Sequence, residues 1–315
     1  MPGLRLGIQL WNQTATWPEL LATARRVDAL GYDHLWTWDH LYAISGDPYQ
    51  SVFEAWTLLT AWAMATEHVR LGLLVGANTF RNPGLVAKTA TTLDHISGGR
   101  AILGLGGAWF ELEHRAHGID FGSGLGQRLD WLDEAASACR ALLDGETVTT
   151  REDGRYRFER LVHHPMPLQP RLPIMIGGTG ERKTLRTVAR YADMWNAFGT
   201  PETLARKDAI LREHCEAVGR DSSAIERTIF AEIVIRDGPD DARQAWQNQL
   251  AYNRTPPIES DGPDLVWTGT PEQVAAEIRA RVEVGFGTFI AQLPAPYDVE
   301  TIERLIAEVK PLVDG

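Results

Sequence analysis

The sequence predicts a (β/α)8 TIM barrel with insertions. Eight short apolar segments are each followed by a stretch with helical spacing, and the 315-residue chain is long enough for eight such units. One of these segments, Val69–Val75, is apolar almost throughout, as expected for a parallel strand buried on both faces. A doubly wound open sheet would usually carry Gly-x-Gly-x-x-Gly after its first strand, where this chain has Gln9-Leu10-Trp11-Asn12. We therefore expect residues 1–315 to form one barrel domain.

Strand and helix boundaries follow from apolar patterns and capping residues. The predicted strands are Leu4–Leu10, Leu35–Trp38, Val69–Val75, Arg100–Leu105, Pro173–Ile176, Asp193–Trp195, Thr228–Val234 and Gly287–Ile290. Capping boxes start helices at Thr16 and Thr270, and Pro83 fits a first helical turn. The other predicted helices cover residues 53–65, 126–143, 181–191, 200–218, 240–252 and 299–313. A hairpin is predicted over Thr147–Phe158, and a loop over Asn253–Trp267.

Composition restricts the possible partners. The net charge is −11 and the pI is about 5.3, so neither nucleic acid nor an anionic membrane surface is an expected partner. No apolar run approaches the roughly 20 residues needed to span a bilayer, and the N-terminus lacks a signal-peptide pattern. The two cysteines, Cys139 and Cys215, lie in separate predicted helices. We expect a reduced, cytoplasmic protein.

Polar and aromatic residues follow most of the predicted strands, where the loops of a barrel build the active site. The strand Leu35–Trp38 runs directly into Asp39 and His40, which either perform chemistry at its C-terminal end or form a turn. Other candidates in equivalent positions are Gln9, Trp11, Asn78, Thr79, Arg81, Trp109, Glu111, Trp195, Asn196 and Gln292.

Two glycine-rich segments also follow strands. The Gly177–Gly180 segment joins a strand to a helix, and Gly104–Gly107 ends the strand before it. Free backbone N–H groups at such a turn can bind an anion, here a phosphate. A tight turn that requires a positive φ is the alternative.

Other chemistries receive little support. Glu111, Glu113, His114 and His117 have spacings that also occur by chance on solvated helices, and no His-x-His follows the first strand. No Gly-x-Ser-x-Gly is present, so a serine nucleophile is not expected. We expect no catalytic metal.

Several motifs, in order, resemble the luciferase-like monooxygenase superfamily. They include Asp39-His40, the segments 53–59 and 69–72, and Phe80-Arg81-Asn82-Pro83. The most specific is Leu93-Asp94-His95-Ile96-Ser97-Gly98-Gly99-Arg100 followed by Leu103-Gly104-Leu105-Gly106. The resemblance extends from residue 4 to about residue 220. The chain looks most like actinobacterial enzymes that use the deazaflavin coenzyme F420, and the resemblance implies a (β/α)8 fold.

The resemblance also implies site roles. Asp39 and His40 would lie beside the reactive part of the cofactor ring, with His40 as acid–base. Leu74-Val75 would form a bulge with a non-proline cis peptide behind the ring. Asn78 and Thr79 would contact the ring edge. The phosphate would be held by the loops that contain Gly106, Gly107, Ala108, Gly177, Gly178 and Thr179.

Departures from the F420 enzymes suggest a different substrate. The F420-dependent sugar-phosphate dehydrogenases have a glutamate at the position of Trp109 and a tryptophan at that of Ile44. A small apolar or aromatic substrate is therefore expected, and four tryptophans (Trp11, Trp38, Trp109 and Trp195) would line the barrel mouth. The cations Arg81, Arg182 and Lys183 are expected to bind the carboxylates of the F420 tail.

The resemblance leaves alternatives open. An FMN-dependent monooxygenase, using O2 and a reductase partner, shares the Asp-His pair and the glycine loops. A flavin-binding protein without catalysis is a third interpretation. The superfamily often forms dimers, so a homodimer is expected.

Overall fold

The computed structural model describes residues 3–150, 152–255 and 265–315. Eight parallel strands form a closed barrel in the order β1-β2-β3-β5-β6-β7-β8-β10, and β10 closes it by pairing with both β1 and β8. This confirms the predicted (β/α)8 fold. The strands are β1 (Arg5–Leu10), β2 (His34–Thr37), β3 (Arg70–Leu73), β4 (Gly76–Ala77), β5 (Ala101–Gly106), β6 (Ile174–Gly177), β7 (Met194–Ala197), β8 (Glu226–Ile235), β9 (Val266–Gly269) and β10 (Thr288–Leu293).

Helices surround the barrel, and their termini follow the predicted caps. Thr16 and Thr270 form the two capping boxes, with Glu19 and Gln273 as the respective partners. The α-helices are α1 (Trp17–Ala29), α2 (Ala55–Ala65), α3 (Pro83–Ser97), α4 (Glu111–Ala116), α5 (Leu125–Leu143), α6 (Thr184–Tyr191), α7 (Pro201–Ala217), α8 (Pro239–Tyr252), α9 (Pro271–Val282), α10 (Val299–Arg304) and α11 (Lys310–Asp314). A π-helical turn, Leu305–Val309, joins the last two. Within the described ranges, no helix combines the length and apolarity that crossing a bilayer requires.

Three elements differ from the sequence prediction. Helix α4 was not predicted, because six residues are too few to show a helical period. Strand β9 pairs with the end of β8, outside the barrel, and its first two residues fall within the segment interpreted as a loop. Residues 256–264 of that segment lie outside the described residues. In the described part of the predicted hairpin, one antiparallel bridge is present, between Val148 and Leu161.

Glycines in β5 and β6 make room for a bulge between β3 and β4. The Leu74–Val75 peptide bond in this bulge is cis, as the resemblance implied. A Cβ at Gly104 would lie 1.8 Å from the Leu73 carbonyl oxygen, and one at Gly106 would lie 2.5 Å from Val75 Cγ2. A Cβ at Gly177 would lie 2.9 Å from Val75 Cγ1. These glycines therefore allow the Val75 side chain to reach the barrel interior.

Candidate active site

A cavity of about 830 Å³ lies at the C-terminal mouth of the barrel, within the usual size range of small-molecule sites. One half of its wall comes from the ends of β2 to β6 and contains Asp39, His40, the Leu74–Val75 bulge and the glycine loops. The other half comes from β7, β8, β10 and β1. It contains Asn196, Phe198, Phe230, Glu232, Gln292 and Trp11.

A buried glutamate orients His40. His40 Nδ1 lies 2.9 Å from Glu113 Oε1, and only 1% of the Glu113 side chain is exposed. The other oxygen, Oε2, accepts hydrogen bonds from the backbone N–H groups of Leu41 (2.8 Å) and Tyr42 (3.3 Å). With Nδ1 engaged, His40 has Nε2 available for a bound molecule. Sequence reasoning missed this role of Glu113, because the pair is 73 residues apart and requires the unpredicted α4.

Asp39 does not contact His40 through a hydrogen bond but holds the β3–β4 segment in place. Its Oδ2 accepts hydrogen bonds from the Arg81 guanidinium (2.6 Å) and from the Ala77 backbone N–H (3.1 Å). Complete burial raises the pKa of the Asp39 carboxyl, against the opposing effect of Arg81. Arg81 also pairs with Glu54 at 2.7 Å. This corrects the expectation that Arg81 binds the cofactor tail, because its guanidinium is already held by two carboxylates.

A chain of amide hydrogen bonds links β10 and β1 to the Leu74–Val75 bulge at the cavity wall. Gln9 Nε2 donates to the carbonyl oxygen of Leu74 at 3.0 Å, and Gln292 Nε2 donates to Gln9 Oε1. The bulge is therefore fixed from β1 by a fully buried side chain. The adjacent wall is formed by Trp11 and Trp38, whose ring centroids are 4.7 Å apart.

The glycine loops form a candidate anion site. The N–H groups of Gly107, Ala108, Thr179 and Gly180 have no acceptor among the described residues. Gly178 has φ +126°, so the positive-φ interpretation of this turn is also correct. Its own N–H donates to the Asn196 carbonyl and is not free. Helix α6 begins at Thr184, four residues beyond the last glycine of the turn.

A second cavity, of about 460 Å³, adjoins the glycine turn; we call it the outer cavity. It is lined by Leu129, Thr179, Gly180, Glu181, Arg182, Lys183 and Lys207. Lys183 pairs with Asp130 at 2.7 Å, and Lys207 donates to the Thr179 carbonyl. Arg182 is exposed and has no ion pair within the described residues. The outer cavity is thus cationic, with one guanidinium unengaged.

Some predicted site residues lie outside the cavity wall. Thr79 is buried and its hydroxyl bonds His114 Nε2 at 2.7 Å. Asn78 is buried as well, and its side chain is satisfied by the Gly106 carbonyl and the Leu132 N–H. The predicted ring-edge contacts of both residues are therefore corrected, because protein groups occupy their polar atoms. Trp195 is also corrected, since it packs on Phe286 between barrel and helices.

Other aromatic positions are closer to expectation. Trp11 and Trp38 line the cavity, and so do Ile44 and Trp109, the two positions that depart from the sugar-phosphate enzymes. Trp109 is 60% exposed, so it lies at the rim. Sequence reasoning overlooked Phe198, Phe230 and Glu232. The available signal for Glu232 was a lone acidic residue within the apolar run Ile229–Ile235 of β8.

The residues considered for metal binding have other partners. Glu113 bonds His40, His114 bonds Thr79, and His117 Nδ1 lies 2.9 Å from the Glu113 carbonyl oxygen. No group of three possible metal ligands occurs among the residues described.

The sequence profile of luciferase-like monooxygenases matches residues 5–262, and the chain belongs to this family. It is 31% identical over 180 residues to a protein of Mycobacterium tuberculosis, an alignment that covers 57% of this chain and 62% of that protein. It is 27% identical to an F420-dependent glucose-6-phosphate dehydrogenase of Kineococcus radiotolerans, over 98% of this chain and 97% of that enzyme.

Solved structures of both cofactor classes have the same fold. An F420-dependent secondary alcohol dehydrogenase, in complex with an F420–acetone adduct, superimposes with a TM-score of 0.81 at 22% identity, covering 99% of each chain. The oxygenating constituent of 3,6-diketocamphane monooxygenase from Pseudomonas putida, in complex with FMN, has a TM-score of 0.75 at 17% identity and covers 98% of each chain. Fold and family therefore indicate an oxidoreductase or a monooxygenase.

Proposed function

We propose that this protein is an F420-dependent oxidoreductase that transfers a hydride between the deazaflavin and a small apolar or aromatic substrate. The observation that carries the proposal is His40, held by buried Glu113, with its Nε2 free at a cavity backed by the Leu74–Val75 bulge. F420 enzymes among the relatives support the choice of cofactor.

The cavity fits a flat ring with a phosphorylated arm. The bulge provides an apolar surface for the ring, and four unengaged N–H groups in the glycine loops provide donors for the phosphate. The outer cavity would bind the anionic tail of F420, with Arg182 as the unengaged cation. FMN has no such tail, so the outer cavity favours F420 over FMN.

His40 would carry the proton that accompanies hydride transfer. When bound, the deazaflavin supplies hydride chemistry at its central ring carbon. Glu113 accepts from Nδ1–H and fixes the ring orientation, so proton exchange occurs at Nε2. In reduction of a carbonyl, Nε2–H of the imidazolium donates to the substrate oxygen. In oxidation of an alcohol, neutral Nε2 takes that proton. The Trp11–Trp38 wall would keep the substrate near the ring and limit water.

Replacing His40 tests this role. We expect His40→Ala to lower turnover with reduced F420 at least about tenfold. The F420 dissociation constant, measured by absorbance titration, should stay nearly the same, because the glycine loops and the bulge are untouched. His68→Ala, which removes an exposed histidine that does not line the cavity, is the control and should keep the wild-type turnover. Equal turnover by wild type and His40→Ala would remove His40 from the chemistry.

The FMN monooxygenase remains the second candidate. It is supported by the structural likeness to an FMN-bound monooxygenase and by a ring and phosphate site that suits either cofactor. In that case O2 and a reductase partner would be required. Oxygen consumption with reduced FMN, and none with reduced F420, would favour it.

A further inference from the structure

Glu232 is the one carboxylate of the cavity wall that has no partner in the described parts of the chain. Three acidic residues line the cavity. Asp39 is bound by Arg81, and Glu113 is bound by His40 and two backbone N–H groups. The Glu232 carboxyl makes no hydrogen bond or ion pair with described residues. Burial raises its pKa to about 7.

Strand register places Glu232 beside a second acceptor. Glu232 in β8 is paired with Gln292 in β10, and Gln292 is paired with Gln9 in β1. Because Gln9 Nε2 is committed to the Leu74 carbonyl, its Oε1 faces Gln292 and must receive the Gln292 amide N–H. Gln292 Oε1 is then left as a free acceptor. Neighbouring register positions of β8 and β10 thus carry a carboxylate and a free amide oxygen.

The chemistry of this half of the mouth differs from that of the other half. Apart from Asn196, whose Nδ2 donates to Thr228, its remaining surface is apolar, with Phe198 and Phe230 rings 5.6 Å apart and Leu265 in the same wall. No arginine or lysine of the described ranges lines the cavity. An anionic group would therefore be repelled by Glu232 and would find no cation. An ammonium group could donate to both acceptors, and a hydroxyl group could donate to one of them.

We propose that Glu232, with Gln292, anchors the substrate by accepting hydrogen bonds from a hydroxyl or amino group remote from the reacting carbon, so that the substrates are neutral or cationic molecules with an apolar body. This assignment rests on the proposed function, which gives the other half of the mouth to the cofactor. It excludes phosphorylated and carboxylated substrates. The lack of arginine and lysine in the described cavity wall and the two unsatisfied acceptors both favour a neutral or cationic substrate with a donor group.

Three probes with the same aromatic body test the anchor. Benzylamine, benzyl alcohol and benzoate would be titrated by calorimetry into the wild type at about pH 8, above the pKa of about 7 of Glu232. We expect benzylamine to bind at least about tenfold more tightly than benzoate, with benzyl alcohol between them. In Glu232→Gln this preference should fall at least about tenfold.

Glu226→Gln is the matched control, because it removes a carboxylate from the same strand at the opposite end of the barrel, where it pairs with Arg5. It should retain the wild-type preference. An unchanged preference in Glu232→Gln, equal binding of benzoate by the wild type, or no binding of benzylamine at millimolar concentrations would each overturn the anchor.

A separate F420 titration on the same samples distinguishes this inference from the proposed function. Loss of benzylamine preference in Glu232→Gln without any F420 binding would sustain the anchor and contradict the F420 assignment. Normal F420 binding together with an unchanged benzylamine preference in Glu232→Gln would contradict the anchor and support the F420 assignment.

Discussion

Replacing Glu232 by glutamine should stabilise the cofactor-free protein at alkaline pH. The wild-type carboxyl belongs to a half-buried side chain of the cavity wall and has no compensating donor or cation within the described ranges, so desolvation raises its pKa from an ordinary 4.5 to about 7. The neutral glutamine amide has nearly the same shape as the protonated acid. It therefore removes the cost of the desolvated charge without changing the size of the side chain.

The sign and size of the effect follow from the two pKa values. The folded state holds the Glu232 proton between pH 4.5 and about 7, whereas the unfolded state releases it, so stability falls as pH rises through this window. Each pKa unit corresponds to about 1.4 kcal/mol, which gives an upper value of about 3 kcal/mol. Water in the open cavity reduces this cost, so we expect about 1–3 kcal/mol.

Urea unfolding at several pH values measures the effect. The quantity to compare is the free energy of unfolding of Glu232→Gln minus that of the wild type. The contributions of Asp39, His40 and Glu113 are common to both proteins and cancel in this difference. The difference should grow from about pH 4.5 to about pH 7 and stay constant above.

The control for this experiment is a variant that should not gain stability. Glu226→Gln loses the 2.9 Å ion pair with Arg5 and should be no more stable than the wild type. A Glu232→Gln difference that does not change with pH, or that shrinks as pH rises, would refute the reasoning about this carboxyl.

Two other substitutions test the local structure of the site. Glu113→Gln should lower turnover at least about tenfold and the free energy of unfolding by about 1–3 kcal/mol. The reason is that an amide NH2 group would face N–H donors that the carboxylate now accepts from. An unchanged kcat would contradict the role given to Glu113. Gly104→Ala should cost at least about 3 kcal/mol in urea unfolding, since its Cβ would lie 1.8 Å from the Leu73 carbonyl oxygen. Gly287→Ala, where a Cβ meets nothing within 4 Å, should cost far less, and similar losses at both positions would show that the bulge does not need Gly104.

Much of the fold was predictable because it depends on local signals. The apolar run of β3 and the capping boxes at Thr16 and Thr270 each determine structure within the same few residues that carry the pattern. Strand β9 was missed because four residues, Val266–Gly269, show no usable period. Its pairing with β8 is a tertiary contact that the sequence of the segment does not display.

The site was predictable only in part, because its partners are chosen in three dimensions. Asp39 and His40 lie two and three residues after the end of β2, so their place at the cavity could be predicted from sequence position. Arg81 follows its strand in the same way, but its guanidinium is used by Asp39 and Glu54. Glu113 reaches His40 only because α4 turns it toward β2.

The most direct test of the F420 assignment compares the affinities of F420 and FMN at low and high salt, where the screening lengths are about 30 Å and about 3 Å. The account predicts tighter binding of F420, with a difference that shrinks at high salt because the outer cavity attracts the tail through Arg182. Arg182→Gln should reduce the difference at low salt. Tighter binding of FMN, together with oxygen consumption by the reduced flavin, would contradict the account and favour the monooxygenase.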